Sequence, residues 1–190
     1  MRVRPEKNLR DDEIIKMILQ GQKDQFNILY SRYNRKVFDK CFSILKDREL
    51  AIEVEQEVFS KVYEKLSGYK GIASFSSWLY AITYNHCIEY LRHRKKLHYP
   101  DWNRSHNLPE IIDEINETDN IVLRYERLLN IMELIHPEEK ALLLMKYQDN
   151  IPLKLIMSTF RISESAAKMR IKRAKARVMY LYKDMYPSED

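Results

Sequence analysis

Apolar residues recur at steps of three and four through most of this chain, a pattern that predicts amphipathic helices. A first helix is expected to begin at Asp11, since acidic residues favour the positive end of the helix dipole, and to end before Gly21. A second predicted helix carries apolar and aromatic side chains that we expect in a core, namely Phe26, Leu29, Tyr30, Tyr33, Val37, Phe38 and Phe42.

A third helix is predicted from about Glu49 to Leu66 and a fourth from about Ser76 to Lys96, with segment 67–71 breaking the pattern between them. The apolar stripe of the third helix consists of Ala51, Val54, Val58, Val62 and Leu66. The core-facing positions of the fourth helix are Trp78, Leu79, Ile82, Ile88 and Leu91.

The helical pattern stops from Tyr99 to Asn120, where two prolines and six acidic residues accompany a single arginine. This composition predicts a mostly extended acidic linker. The pattern resumes at about Ile121, and further helices are predicted at Glu138–Tyr147, Pro152–Phe160 and Glu164–Tyr182. We therefore expect an all-α protein with two helical domains, at 10–97 and 121–185, joined by a linker at 98–120.

The composition narrows the class of function. Hydrophobic residues make up 45% of the 190 residues, and the net charge of +5 favours a polyanionic partner. No glycine-rich phosphate loop, metal-ligand cluster or nucleophile–base spacing is present, so we expect neither an enzyme nor a bound metal or cofactor. Cys41 and Cys87 are expected to be buried, reduced thiols. No signal peptide or membrane span is visible, so we expect a cytoplasmic protein without membrane insertion.

The last two predicted helices are typical of a helix-turn-helix, with Arg161 to Ser163 as the turn and Ser163 as the cap of the second helix. One side of that helix is apolar, with Ala167, Ile171, Ala174 and Val178. The other side carries Lys168, Arg170, Lys172, Arg173, Lys175 and Arg177. Because like charges repel, a face of one sign favours a phosphate backbone as its partner over a role as an ordinary surface helix.

Two further groups of side chains lie in the first half of the chain. The third helix has a polar face of Glu53, Gln56, Glu57 and Ser60, which suits a partner other than DNA or is simply solvated. Glu55 falls inside the apolar arc, where its stem could snorkel or its carboxylate pair with a cation. Beyond this helix, Phe75 and Trp78 suit unstacked bases or, equally, anchors in the core.

Three segments resemble the extracytoplasmic-function (ECF) sigma factors of the sigma-70 superfamily. Residues 51–59, Ala-Ile-Glu-Val-Glu-Gln-Glu-Val-Phe, resemble that family's Ala-Glu-Asp-x-x-Gln-Glu-x-Phe. Residues 75–92, from Phe-Ser-Ser-Trp-Leu through Asn85 to Leu-Arg, resemble its Phe-x-Thr-Trp-Leu helix. Residues 162–175 resemble its Ile-Ser-Glu-Gly-Thr-Val-Lys-Ser-Arg segment, and the three lie in the family's order.

The resemblance implies binding to bacterial core RNA polymerase and promoter DNA. It assigns polymerase docking to Glu53, Gln56, Glu57 and Ser60. It assigns the minus-ten element, melted with a flipped non-template base, to Tyr69, Lys70, Phe75, Trp78, Asn85, Arg92, Arg94 and Lys95. It assigns the duplex minus-thirty-five element to Ser163, Ser165, Ala166, Lys168, Met169, Arg170, Lys172, Arg173 and Lys175. An anti-sigma factor is a further expected partner, and the acidic linker would lie in the polymerase channels.

The chain departs from the family pattern at several positions. Arg161 stands where the family has a glycine with positive φ, so an altered turn is expected. The other departures are Ile52 for an acid, Glu55 for Val or Thr, Tyr84 for Arg, Met157 for Ala, Ser165 for Gly and Ala166 for Thr. Two alternatives stay open: a helix-turn-helix regulator that acts without polymerase, and an RNA-binding or structural helical protein. The acidic face of the third helix argues against the first of these, and the basic helix beside the helix-turn-helix argues against the second.

Overall fold

The computed structural model describes residues 9–95 and 121–187, and within these ranges the regular elements are all helical. The predicted all-α class is therefore confirmed. The predicted linker at 98–120 lies outside the described residues, as do the side chains of Arg94 and Lys95. The limits of the two domains and the acidic linker stay predictions.

The helices of the first half follow the predicted pattern closely. Helix α1 spans Asp11–Leu19, α2 Phe26–Leu45, α3 Arg48–Lys65 and α4 Phe75–Lys95. Gly21 follows α1 with a φ of +101°, which agrees with its predicted role as a terminator. Asp47 caps α3, because its carboxylate accepts a hydrogen bond from the backbone N–H of Leu50 at 3.0 Å.

In the second half, α5 spans Ile121–Leu134, α6 Pro137–Leu143, α7 Leu153–Phe160 and α8 Glu164–Met185. The predicted helix at 138–147 is only partly correct, because a π-helical turn at Leu144–Gln148 follows α6. In that turn the N–H of Asp149 bonds to the carbonyl of Leu144 at 3.0 Å. Asn150 then adopts a φ of +49°, so the chain reverses sharply before α7.

One apolar core runs through both halves of the described chain. Leu29 and Val37 of α2, Val54 of α3 and Leu79 of α4 are fully buried at its centre. The same cluster takes in buried residues of the second half: Ala141, Leu142, Met145, Ile151, Ile156, Phe160 and Ile171. Contacts of α2 with α6 and of α4 with α6 and α7 join the halves. Their relative placement therefore rests on packed apolar surface as well as on ion pairs.

Two of the aromatic residues of α2 that we expected in the core lie at the surface. Tyr30 is 37% exposed and Phe42 is 42% exposed. Tyr30 packs edge-on against Phe59 of α3, with ring centroids 4.8 Å apart. Phe42 instead stacks on Phe38 of the same helix. The prediction was wrong for these two because the apolar arc of α2 is wider than the surface that α3 and α4 cover.

Candidate functional site

The polar face of α3, formed by Glu53, Gln56, Glu57 and Ser60, is exposed along its whole length. The opposite side of the helix is buried, with Ala51, Val54, Val58 and Val62 all at 0% exposure. This division follows from the helical period, because positions three and four residues apart share a face. The face therefore offers two carboxylates, an amide and a hydroxyl to a partner.

Glu57 is held in place by a buried histidine of α4. Nε2 of His86 lies 2.5 Å from Oε2 of Glu57, and Nδ1 of His86 lies 2.8 Å from Nζ of Lys61. The His86 side chain is only 10% exposed, whereas that of Glu57 is 46% exposed. The sequence carries no local signal for this group, because its partners are on different helices.

Glu55 lies beneath the polar face and is buried, with 6% of the residue exposed. Its Oε1 atom has no hydrogen-bond partner. Burial raises the pKa of this carboxyl above its usual range, and a hydrogen bond from Tyr30 opposes the rise. The hydrogen-bonding partner is thus a tyrosine hydroxyl. Neither expectation holds, because the side chain neither snorkels to the surface nor pairs with a cation.

Phe75 belongs to the core, so its assignment to DNA binding is corrected. The residue is 2% exposed and packs edge-on against Tyr33, with ring centroids 5.5 Å apart. It also contacts Tyr69 and Trp78, at centroid distances of 5.9 Å in each case. Phe75 therefore anchors the start of α4, which is the alternative that the sequence left open. Tyr69 and Trp78 remain partly exposed beside it, and Lys70 is exposed.

A groove of about 270 Å³ separates α4 from α7. Trp78, Asn85 and His86 of α4 line one wall, and Thr159 and the adjoining Arg161 line the other. Asn85 is partly buried at this boundary. The structure therefore brings two predicted minus-ten residues, Trp78 and Asn85, together in one groove, and it also places the helix-turn-helix over them.

Helix α8 presents the predicted basic surface, with some changes. Ser163 caps the helix as predicted, accepting from the N–H of Ala166 at 3.2 Å. The exposed side chains are Ser163, Ser165, Lys168, Met169, Lys172 and Lys175, whereas Ala166, Arg170 and Arg173 are partly buried. Arg177 was expected on the basic side but is 9% exposed and lies 3.5 Å from the buried Glu139. The face of single sign is therefore shorter than the sequence indicated.

The turn of the helix-turn-helix keeps the geometry that a glycine would give. Arg161 itself adopts a φ of +54° and a ψ of +47°, the left-handed conformation. The N–H of Ile162 bonds to the carbonyl of Met157 at 3.1 Å and closes the end of α7. The expectation of an altered turn was wrong, because packing of α7 against α8 holds a non-glycine residue in this less favourable conformation.

One buried carboxylate binds two of the predicted DNA-contacting cations. Glu138, at 1% exposure, accepts from Nε of Arg92 at 2.7 Å, and its Oε2 lies 3.7 Å from Arg170. Arg92 is near the end of α4 and Arg170 is on α8. The structure therefore ties together a predicted minus-ten residue and a predicted minus-thirty-five residue, which the sequence analysis expects in separate domains.

A second buried ion pair joins the halves. Nζ of Lys40 lies 2.6 Å from Oδ1 of Asp149, and the two side chains are 10% and 8% exposed. The hydroxyl of Tyr84 donates to Oδ2 of Asp149 at 2.8 Å. Burial and the neighbouring Asp149 raise the pKa of Tyr84 far above its usual value. Tyr84, where the family has an arginine, is thus an internal hydrogen-bond donor.

In residues 9–95 and 121–187, no group of histidine, cysteine and acidic side chains has an arrangement that would hold a metal ion. Over the same residues, no helix has both the length and the apolar character to cross a bilayer. Cys41 and Cys87 are free and buried, as expected.

The sigma-70 region 2 family matches residues 29–97, which include α2, α3 and α4 with the polar face and the groove. The polar face of α3 and the aromatic start of α4 thus lie within the segment that matches sigma-70 region 2. The matched segment also contains Lys40, Glu57, Tyr84, His86 and Arg92, whose contacts are described above.

Curated relatives confirm the resemblance to ECF sigma factors over a little under half of the chain. The ECF RNA polymerase sigma-E factor of Haemophilus influenzae is 34% identical over 83 residues, covering 44% of this chain and 43% of that protein. The ECF RNA polymerase sigma factor SigW of Bacillus subtilis is 30% identical over 87 residues, covering 46% of each. The matches therefore span a little under half the length of these relatives.

Solved structures extend the likeness of fold to most of the chain. CnrH, in complex with the cytosolic domain of CnrY, superposes with a TM-score of 0.60 at 16% identity, over 92% of this chain and 97% of that one. The sigma factor RpoE from Bartonella quintana, in complex with the anti-sigma factor NepR, gives a TM-score of 0.57 at 13% identity, over 83% and 96%. At this identity the likeness concerns the fold alone.

Proposed function

We propose that this protein is a sigma factor that binds core RNA polymerase and directs initiation at specific promoters, including the melting of promoter DNA. The observation that carries the proposal is the exposed polar face of α3 within a sigma-70 region 2 domain. A protein that needs only duplex DNA has no use for two exposed carboxylates on a domain of this kind. The protein makes or breaks no bond itself, and needs no metal or cofactor.

Docking would use Glu53, Gln56, Glu57 and Ser60. Carboxylates bound by cationic or N–H donors make the strongest hydrogen bonds available at a protein surface. The firm apolar packing behind the face supports this role, because a rigid helix loses little entropy when it binds. The burial of Val54 and Val58 directly beneath it provides that support.

Recognition of the minus-ten element would use the start of α4 and the loop before it. Tyr69 and Trp78 are ring neighbours, with centroids 5.3 Å apart, and both keep exposed surface. Aromatic faces stack on unpaired bases of any sequence, and Lys70 adds attraction for phosphate. Asn85 offers an amide to a flipped base, while Arg92, Arg94 and Lys95 would bind the backbone.

Recognition of the minus-thirty-five element would use α8. The start of the helix, with Ser163, Ser165, Ala166, Met169 and Arg170, would face base edges in the major groove. Flanking phosphates would be bound by Lys168, Lys172, Arg173 and Lys175. The protein would bind the melted promoter more tightly than the fully paired promoter. This difference in affinity would shift the DNA towards the melted state.

An anti-sigma factor is proposed as the regulatory partner. The solved relative from Bartonella quintana is bound to such a factor. The acidic linker at 98–120 is proposed to lie in the polymerase channels, where its charges would imitate nucleic acid. These two proposals rest on the sigma assignment and fall with it.

The test is a pull-down with bacterial core RNA polymerase, followed by run-off transcription, comparing the wild type with a double variant carrying Gln56→Ala and Glu57→Lys. We expect the wild type to bind core polymerase and to produce discrete transcripts, and the double variant to lose both activities. Asp39→Ala, which removes an exposed carboxylate of α2, is the matched control and should behave as the wild type.

The second candidate is a helix-turn-helix regulator that acts without polymerase, favoured by the well-formed cap and basic surface of α8. It predicts that the purified chain binds duplex DNA with a steep dependence on salt and ignores core polymerase. That result would exclude the sigma assignment.

A further inference from the structure

Glu57 differs from a freely mobile surface carboxylate, because a buried side chain fixes it. Its Oε2 atom lies 2.5 Å from Nε2 of His86, whose side chain is 10% exposed. The carboxylate is on α3 and the histidine is on α4, so the contact crosses between two packed helices. The side chain of Glu57 nonetheless remains 46% exposed and open to a partner.

The second contact of His86 determines which of its ring nitrogens carries the proton. Nζ of Lys61 lies 2.8 Å from Nδ1 of the ring. A lysine ammonium has only donors, so Nδ1 must accept, and the ring is the neutral tautomer with its proton on Nε2. That proton then points at Glu57. Lys61 thus orients His86, and His86 orients Glu57, in the manner of second-layer partners at binding sites.

Charged groups surround the ring on α3, on α4 and at the turn after α7. Lys61 and Glu57 are one turn apart on α3, so their opposite charges flank the ring on either side. Glu89 and His93, one and two turns further along α4 than Asn85, line the adjoining cavity with Lys61 and His86. Lys65 and Arg161 face His86 across the groove.

We infer that His86 is a positioning residue for polymerase docking: it holds the Glu57 carboxylate ready to bind core RNA polymerase. The inference rests on the proposed function and deepens it. An unrestrained glutamate loses rotamer freedom when it docks, whereas Glu57 has lost most of that freedom already. Because Asn85 precedes His86 on α4, the same helix turn connects the docking face with a proposed minus-ten contact.

The experiment is a double-mutant cycle on the full chain, with affinity for core RNA polymerase as the readout. His86→Leu removes both ring contacts at similar volume, and His86→Gln keeps an N–H donor. We expect His86→Leu to weaken binding about two- to tenfold, the range given by ordering one long side chain. In a Glu57→Ala background, His86→Leu should cause no further loss. In the chain that keeps Glu57, His86→Gln should retain most of the wild-type affinity.

The cycle separates positioning from a purely structural role. Equal losses in the two backgrounds would mean that His86 only supports the fold, and would overturn the inference. Unchanged affinity of His86→Leu in the otherwise wild-type chain would overturn it as well. Failure of the proposed function looks different, because then the wild type itself does not bind core polymerase. If the wild type binds but Glu57→Ala alone leaves binding unchanged, the inference is overturned and the proposed function stands.

Two measurements keep the inference testable should His86→Leu fold poorly. Lys61→Met leaves His86 in place but removes the donor to Nδ1, so a smaller loss of affinity, again confined to chains with Glu57, is expected. Nitrogen NMR of the imidazole rings in the wild type should show His86 with its proton on Nε2. A proton on Nδ1 would contradict the geometry on which the inference rests.

Discussion

The polar face of α3 and the cationic surface around α8 differ in what the protein itself does with their charges. Glu53 and Gln56 are exposed, and Glu57 is held by a neighbouring helix while half of its side chain stays accessible. Arg92 and Arg170, by contrast, are both bound to the buried Glu138. One surface is thus ready for a partner, and the other is partly engaged within the molecule.

The difference has an energetic consequence for the order of binding. A docking carboxylate that is already exposed and oriented needs little rearrangement. An arginine paired with a buried carboxylate must leave that partner before it can bind phosphate, and the buried charge left behind is costly. Binding of polymerase should therefore be less hindered in this arrangement than binding of promoter DNA.

The largest expected effect comes from the ion pair that joins the halves. Asp149→Ala leaves the Lys40 ammonium buried and the Tyr84 hydroxyl without its acceptor, which should cost about 3–5 kcal/mol of unfolding free energy. Urea denaturation measures this loss. Asp39→Ala, at an exposed ion pair with Arg35, should change stability by less than about 0.5 kcal/mol. A loss below 1 kcal/mol for Asp149→Ala would show that the buried pair does not hold the halves together.

Glu138→Gln should change DNA binding more than it changes docking. The amide is of similar size but carries no charge, so it no longer neutralises Arg92, which becomes available to a phosphate. The slope of log affinity against log salt for duplex DNA should steepen by about 0.9, the value for one additional phosphate contact. Fluorescence anisotropy across a salt series measures it. Asp39→Asn, at the exposed pair with Arg35 of α2, is the control, and an equal change there would refute the special role of Glu138.

Substitution of Glu55 tests how the buried carboxyl beneath the polar face of α3 affects stability. Burial raises its pKa, so the folded state gains from this group only at acidic pH, and that gain is lost as the pH rises through the raised pKa. Glu55→Gln should therefore stabilise the protein at pH 7, because the amide carries no charge to bury. The advantage should shrink as the pH falls into the range where the folded wild type protonates Glu55. Thermal melts at several pH values would reveal it, and a benefit independent of pH would contradict the assignment.

Substitutions of Arg161, in the turn between α7 and α8, should have the smallest effect on stability. Its left-handed conformation costs a non-glycine residue about 1 kcal/mol, which is partly offset by the greater chain entropy that glycine loses. Arg161→Gly should leave stability equal or slightly higher, whereas Arg161→Val should lower it by about 1 kcal/mol, because β-branched residues disfavour positive φ. Equal melting temperatures for the two variants would show that the turn relaxes.

Much of the fold follows from local pattern. The start of α1 at Asp11, the cap at Ser163 and the apolar stripe of α3 were all predicted correctly, because each depends on residues within one or two helical turns. Where the pattern failed, a contact between distant elements decided the outcome. The π-helical turn after α6 places Asp149 against Lys40, and no local signal predicts a partner 109 residues away.

The features of the candidate site also fall into two groups, those set by local sequence and those set by tertiary contacts. The sequence by itself determined the polar face of α3, the cap and basic side of α8, and the resemblance to ECF sigma factors, because helical period and motif spacing are properties of neighbouring residues. Only the tertiary structure decided that Phe75 is buried, that His86 holds Glu57, and that Glu138 binds both Arg92 and Arg170. Periodicity gives the face on which a side chain lies, whereas the helix crossings determine which faces meet and which charges are buried together.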